Sequence, residues 1–479
     1  MNIQHTPAAG RDVSGSAPCG ATPPGSPSTG SAPSASIQSR SALASYALFA
    51  LPLAMVALPV YLFAPALYVR SGGLALAGVG AVLLAVRVLA ALADPLLGWW
   101  MARNQRGYPW HAAASLAPLL LGYCALFNPP ALDGAALMAW FAAALLLVYL
   151  GYGLATIAHQ SWGSAIACDA AARVRLMSAR EGCGLLGAVL AAACSGVLGY
   201  GALALLFCAC LLPAAWLLLR RAPRAAVRPP ATASAGQPAQ PPALGQAPAR
   251  YALLAPWSEP RFRCLFGVYS ASALAGAIPA TLFVFFAADR LGLPDNWAGP
   301  LLVLYLLAAA ASMSLWAALA RRWDTLAAWQ ASMLLSALVF IWAYALGPGD
   351  GAAFAAICVL TGIAGGADLA LPPALLAGLA AQSRSADAAA QPSAAPYFAW
   401  WNWCTQLALA FAAGATLPAL ALLGYEPGSA AAETGAAPQG TAVLAAAYAL
   451  LPCALKLLAW LLLLRGARGS LKSLNGREI

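Results

Sequence analysis

The chain has 479 residues, of which 62% are hydrophobic and only 8% charged. Soluble domains carry about 25% charged residues, so this balance excludes an ordinary soluble fold and makes lipid the solvent. The formal charge of +10 does not mark a nucleic-acid binder, because the cations are spread through loops and only Lys456 and Lys472 are lysines.

Residues 1–40, rich in Gly, Ser, Pro and Ala, lack the basic and apolar blocks of a secretory signal and read as a disordered cytoplasmic tail. Apolar runs of the roughly 20 residues that cross a bilayer then fall at 43–68, 74–101, 111–127, 134–158, 182–199 and 201–219, giving an N-terminal six-helix half over 41–221. The Pro-, Gln- and Ala-rich stretch 222–250 could not satisfy its backbone in lipid and is expected to be a cytoplasmic linker. Six more spans, at 262–287, 298–319, 325–346, 352–381, 396–423 and 440–464, make a C-terminal half over 251–468, and 469–479 is a second cytoplasmic tail. Nearly all of the eleven cysteines lie in these runs, without a CxxC pair, so they read as small packing residues, and no metal site is expected.

Loops on one side hold Arg103, Arg106, Arg173, Arg175, Arg220, Arg221, Arg321 and Arg322, whereas the other side holds Arg70 and Arg290. Because positive residues favour the cytoplasmic side, both termini and the linker are expected there, in a bacterial inner membrane. The fold class is therefore an all-α membrane protein of twelve transmembrane helices in two six-helix halves, the plan of the major facilitator superfamily, whose halves rock about a midplane site. No phosphate loop, HExxH or nucleophile elbow is present in a believable context, so no enzyme is expected.

Span 2 closes with VRVLAALADPLLGWWMARNQRG, where Arg87, Asp94, Pro95 and Gly98 fit an Arg-x-x-Asp-x-x-x-Asp-Pro-x-x-Gly pattern. After span 4 comes AHQSWGSAIACDAAARVRLMSAREG, in which Asp169, Arg173, Leu176, Ser178 and Arg180 fit an Asp-x-x-x-Arg-x-x-Leu-x-Ser-x-Arg pattern. These segments resemble the glycoside-pentoside-hexuronide:cation symporters, the melibiose permease-like family, over nearly all of the membrane portion. The resemblance implies a symporter of a sugar or glycoside coupled to sodium or protons. It also implies polar residues at positions where this chain departs: Ala90 and Ala54 stand where the family carries acids, Gln406 where it often has Lys, and Gly378 where an acid often follows the Pro-Ala stretch of span 10.

Charges at membrane depth cost about 2.5 kcal/mol or more, so they face a cavity or a partner. Arg87 and Asp94, seven apart, share a helix face; Asp94 is either a cation or proton site, with Arg87 as its partner or gate, or a conformational lock. Asp368 in span 10 is a second deep acid, structural or coupling, and Lys456 either snorkels to the interface or pairs with a buried acid. By family position Thr156 and Gln160 contact substrate, joined by His159 and Trp162 in span 4 and by Asn402 and Gln406 in span 11. Asp169, Arg173, Arg180 and Glu181 are expected to form a gate that breaks as the halves rock. The expected function is secondary active transport of a small polar solute by alternating access, with sodium or a proton as the coupling ion and no other cofactor. The alternatives are a facilitator without cation coupling and a transport-inactive sensor. The expected partners are the solute and the lipid bilayer, without nucleic acid, and the expected state is a monomer.

Overall fold

The computed structural model describes residues 40–60, 64–70, 73–104, 106–167, 169–195, 200–223, 249–294, 297–386, 393–425 and 439–471. The N-terminal tail and residues 224–248 of the expected linker lie outside the described residues. Helices alone make up the secondary structure of the described residues. Ten of them are long and apolar enough to cross a membrane.

The first span is built from α1 (Arg40–Ala47), α2 (Ala50–Leu58) and α3 (Ala64–Arg70) rather than one rod. Pro59, which has no N–H for the helical ladder, sits at the end of α2. Then come α4 (Leu76–Arg103), α5 (Tyr108–Phe127), α6 (Gly134–Ile166), α7 (Ala170–Ser195) and α8 (Tyr200–Arg221). The fifth span, α7, begins twelve residues before the apolar run that announced it at 182. Its first turns carry Arg173, Arg175, Arg180 and Glu181, which depress hydropathy without breaking the helix. At 26 residues it still measures about 39 Å, enough to span.

After the linker a short α9 (Ala249–Ser258) precedes α10 (Pro260–Phe285), which ends in a π-helical turn over Phe286–Arg290. Next come α11 (Ala298–Arg322), α12 (Thr325–Phe340) with a 3₁₀ turn over Ile341–Ala345, α13 (Gly351–Ala386) and α14 (Ala395–Leu422). The twelfth span is α15 (Gln439–Ala445), a second π turn at Ala446–Leu450 and α16 (Leu451–Arg468). Twelve spans thus run six before and six after the linker.

The ends at which α8 stops and α9 and α10 begin define a linker face, and the opposite ends a far face. Buried apolar residues of spans 1 to 6 are continuous with linker-face residues of spans 7 to 12, including Phe262, Trp316, Leu379, Phe398 and Leu463. Far-face residues of spans 7 to 12, such as Leu282, Leu346, Phe354 and Tyr448, pack among themselves in a separate cluster. The two sets of spans are therefore sealed together at the linker face, while among the described residues their far-face ends share no buried core.

Candidate functional site

The seal centres on Asp94. Pro95 follows it inside α4 and cannot bond the preceding turn, which frees a backbone carbonyl beside the acid. Asp94 is 3% exposed, and its Oδ2 accepts a hydrogen bond from Asn402 Nδ2 of α14 at 2.7 Å. Its other oxygen presses on α6: a Cβ on Gly153 would lie 2.5 Å from Oδ1, so glycine alone lets the carboxylate in. One turn along α4, a Cβ on Gly98 would collide with the Ala399 side chain and lie 2.9 Å from the Ala395 carbonyl oxygen. Small residues thus bring α4 and α14 into backbone contact, a recurrent device where lipid supplies no hydrophobic drive between helices.

Asn402 therefore lies with Asp94, on the opposite side of the seam between the two sets of spans. Arg87, half-buried, sits two turns nearer the far face, about 10 Å along the axis. Asp94's hydrogen-bonding partner across the seam is the Asn402 amide, an arrangement that suits the conformational lock among the roles considered for this acid.

On α6, Thr156 and Gln160 are buried one turn apart, and Gln160 Oε1 has no hydrogen-bond partner. An unpaired buried carbonyl costs about 1–3 kcal/mol. Thr156 Oγ1, one turn before it, is likewise buried without a partner, so the two form a polar pair on this stretch of α6. His159 is placed elsewhere, fully buried with Nε2 2.9 Å from the Tyr46 carbonyl oxygen, while Tyr46 Oη donates to the His159 carbonyl oxygen at 2.8 Å. Its ring packs on Tyr46 and edge-on to Phe49, so it rivets α6 to span 1 instead of facing a cavity. Trp162 is also buried, and its indole N–H donates to the Pro223 carbonyl oxygen at 2.9 Å, tying α6 to the start of the linker.

On α14, Gln406 is half-buried one turn after Asn402. Between them Thr405 donates to the Trp401 carbonyl oxygen at 3.1 Å and shares a 2.7 Å hydrogen bond with the Tyr269 hydroxyl of α10. Tyr269 stacks on Trp401 with ring centroids 3.5 Å apart. Sequence reading missed Tyr269, although a Tyr-Ser-x-Ser run inside an apolar span was the available signal.

The four expected gate residues divide. Asp169 caps α7 by accepting from the Ala172 N–H at 2.6 Å, an N-cap role. Arg180 pairs with the adjacent Glu181, within α7. Arg173 does cross the seam: its Nε lies 3.4 Å from where a Cβ on Gly378 of α13 would stand. The position at which the resembling family often has an acid thus abuts an arginine.

Asp368 forms a separate node among spans 7 to 12. Lys456 Nζ of α16 donates to its Oδ2 at 2.6 Å and to Ser272 Oγ of α10 at 2.7 Å. Trp329 Nε1 of α12 donates to Asp368 Oδ1 at 2.9 Å. Four spans therefore meet on one carboxylate, and Lys456 resolves to the buried partner rather than the snorkelling cation.

The arrangement is a transporter's: twelve spans, a polar seam and one sealed face define the major facilitator fold. A family described as MFS/sugar transport protein matches residues 45–466, and the chain belongs to that family. It is a multi-pass membrane transporter and not an enzyme. No curated protein matches it. Among solved structures it is similar to a bacterial homologue of the iron transporter ferroportin in an outward-facing state, with TM-score 0.62, 16% identity and coverage of 89% of this chain and 98% of that one. It is also similar to the human organic anion transporter MFSD10, with TM-score 0.62, 16% identity and coverage of 88% and 99%. The fucose:proton symporter FucP of E. coli aligns with TM-score 0.58, 13% identity and coverage of 88% and 99%. At these identities the likeness is one of fold.

Proposed function

We propose that the chain moves a small polar solute, a sugar or glycoside, across a bacterial inner membrane by alternating access, with termini and linker in the cytoplasm. The observation that carries this reading is the seam itself: Asp94 and Asn402 join the two sets of spans at the linker face, with the unpaired Gln160 carbonyl among the polar side chains of α6. A neutral polyol supplies the hydroxyl donors that such an acceptor lacks. The family's description as a sugar transport protein and the likeness to a fucose:proton symporter agree with it. The N-terminal half, 41–221, and the C-terminal half, 251–468, would rock about this seam, and the conformation seen would be the outward-facing one.

A second reading, a facilitator without cation coupling, has its own support. Both acids proposed for coupling are engaged, Asp94 by Asn402 and Asp368 by Lys456 and Trp329. The resembling symporter family, with sodium or a proton as coupling ion, would need Asp94 to release its amide and take the ion. Uptake into proteoliposomes, with and without sodium and proton gradients, separates the two. Asp94→Asn keeps an oxygen for Asn402 but removes the charge. Gradient-driven accumulation by the native protein that disappears in the variant supports coupling through Asp94. Ion-independent equilibration in both sinks coupling and leaves transport standing. Absence of uptake for every sugar tried, with Gln160→Ala and Gln406→Ala equally silent, favours the transport-inactive sensor.

A further inference from the structure

We propose that the groove between α10 and α16 at the linker face binds the phosphodiester headgroup of an anionic phospholipid. The groove has a volume of about 360 Å³, within the ~300–1,000 Å³ range of ligand clefts. Arg263 of α10 and Arg465 of α16 line it, with Ser470 beyond the end of α16, and Val268 and Leu462 form its apolar side. Gly267 leaves it open, since a Cβ there would meet nothing within 4 Å.

Position makes the occupant a lipid. Arg263 is three residues past the first residue of α10, and Arg465 three before the last of α16, so both sit at the level where lipid phosphates lie. Towards the membrane interior α16 exposes Leu457, Leu458 and Leu461, an apolar track along which an acyl chain can run from a headgroup held above it. Two exposed guanidiniums face the same groove without a carboxylate in its lining. The acid closest in sequence, Glu259, is turned away and accepts hydrogen bonds from Ser383 and Tyr397. Arginine's planar fork suits a phosphodiester, and basic pockets between spans at this level recruit anionic lipids. The inference rests on the spans crossing a membrane, which the family establishes, and not on the solute or on coupling.

The test is native mass spectrometry of the full-length protein in mixed micelles doped with phosphatidylglycerol or phosphatidylcholine. The native chain is expected to retain phosphatidylglycerol preferentially, and Arg263→Gln/Arg465→Gln to lose that preference by about tenfold. Gly267→Leu, which keeps both charges and fills the groove, is expected to lose it as well. Arg321→Gln/Arg322→Gln, on exposed residues at the same face of α11, is expected to retain it. Thermal unfolding of each variant checks folding. Equal retention of the two lipids, or unchanged retention in Gly267→Leu, overturns the proposal. Displacement of the lipid by millimolar inorganic phosphate overturns it too, by marking an anion site indifferent to the acyl chains.

Discussion

At single positions the seam makes sharp demands. Gly378 abuts Arg173 across it, so Gly378→Asp is expected to create an ion pair that over-stabilises the sealed face. The thermal midpoint in detergent should rise while the transport rate falls several-fold; a variant with unchanged midpoint and rate would show that Arg173 is turned elsewhere. Asn402→Ala is expected to act in the opposite sense, since it strands a carboxylate that is 3% exposed. A hydrogen bond to a charged group contributes about 1.5–3 kcal/mol, so the population with the linker face open should grow by tenfold or more. Spin-label distances between the linker-face ends of α4 and α14 would read that shift, and an unchanged distance distribution would count against Asp94 as a lock. Legibility at this scale was uneven. Asp94 and Asp368 stood out as charges in apolar surroundings, whose cost in lipid is visible in any sequence, whereas Arg173 was marked by its place in a charged pattern after span 4. His159 and Trp162 are just as polar, yet their partners are the backbone carbonyls of Tyr46 and Pro223. A side chain answered by a distant backbone atom leaves no trace in composition or spacing.

Between elements, the node on Asp368 braces α10, α12, α13 and α16. Lys456→Met alone leaves the carboxylate, which is 18% exposed, without its cation. The expected loss is about 3 kcal/mol, with the double variant Lys456→Met/Asp368→Asn recovering part of it, as breaking a buried pair costs more than replacing it. Thermal unfolding of both variants checks this; if the double variant is no more stable than the single one, the two groups are not coupled. Helix existence was the most readable feature, because twenty apolar residues in lipid leave few options. Helix ends were less so. The charged start of α7 was read as loop, since hydropathy reports the hydrocarbon slab and not the helix that projects beyond it. The end of α2 at Pro59 was equally hidden, because a proline in an apolar run is compatible with a mere kink. Gly153, which sets the approach of α6 to α4, looks like one among forty-three glycines, and Gly98 was marked only by its pattern, without the contact with α14 that explains it. Only the packing partner reveals what a Cβ would strike.

For the whole molecule, the arginine asymmetry predicts that the linker face is cytoplasmic. A fluorescent protein joined to the C-terminus is expected to mature and fluoresce, whereas alkaline phosphatase fused after Leu293 on the far face is expected to be active; the reverse pattern would invert the orientation. Two-fold division into six and six spans was legible because the linker composition is so unlike lipid-facing sequence. The state of the molecule was not, because it depends on which ends of the helices touch. That state has a kinetic corollary in the bond between Asp94 and Asn402. Parting a carboxylate from an amide does not pull two opposite charges apart through a low-dielectric seam, and mobile counter-ions have little to screen there. The step that unseals this face should therefore proceed at much the same rate in dilute buffer and in concentrated salt, so that the pace of the cycle is governed by helix packing more than by the ionic medium.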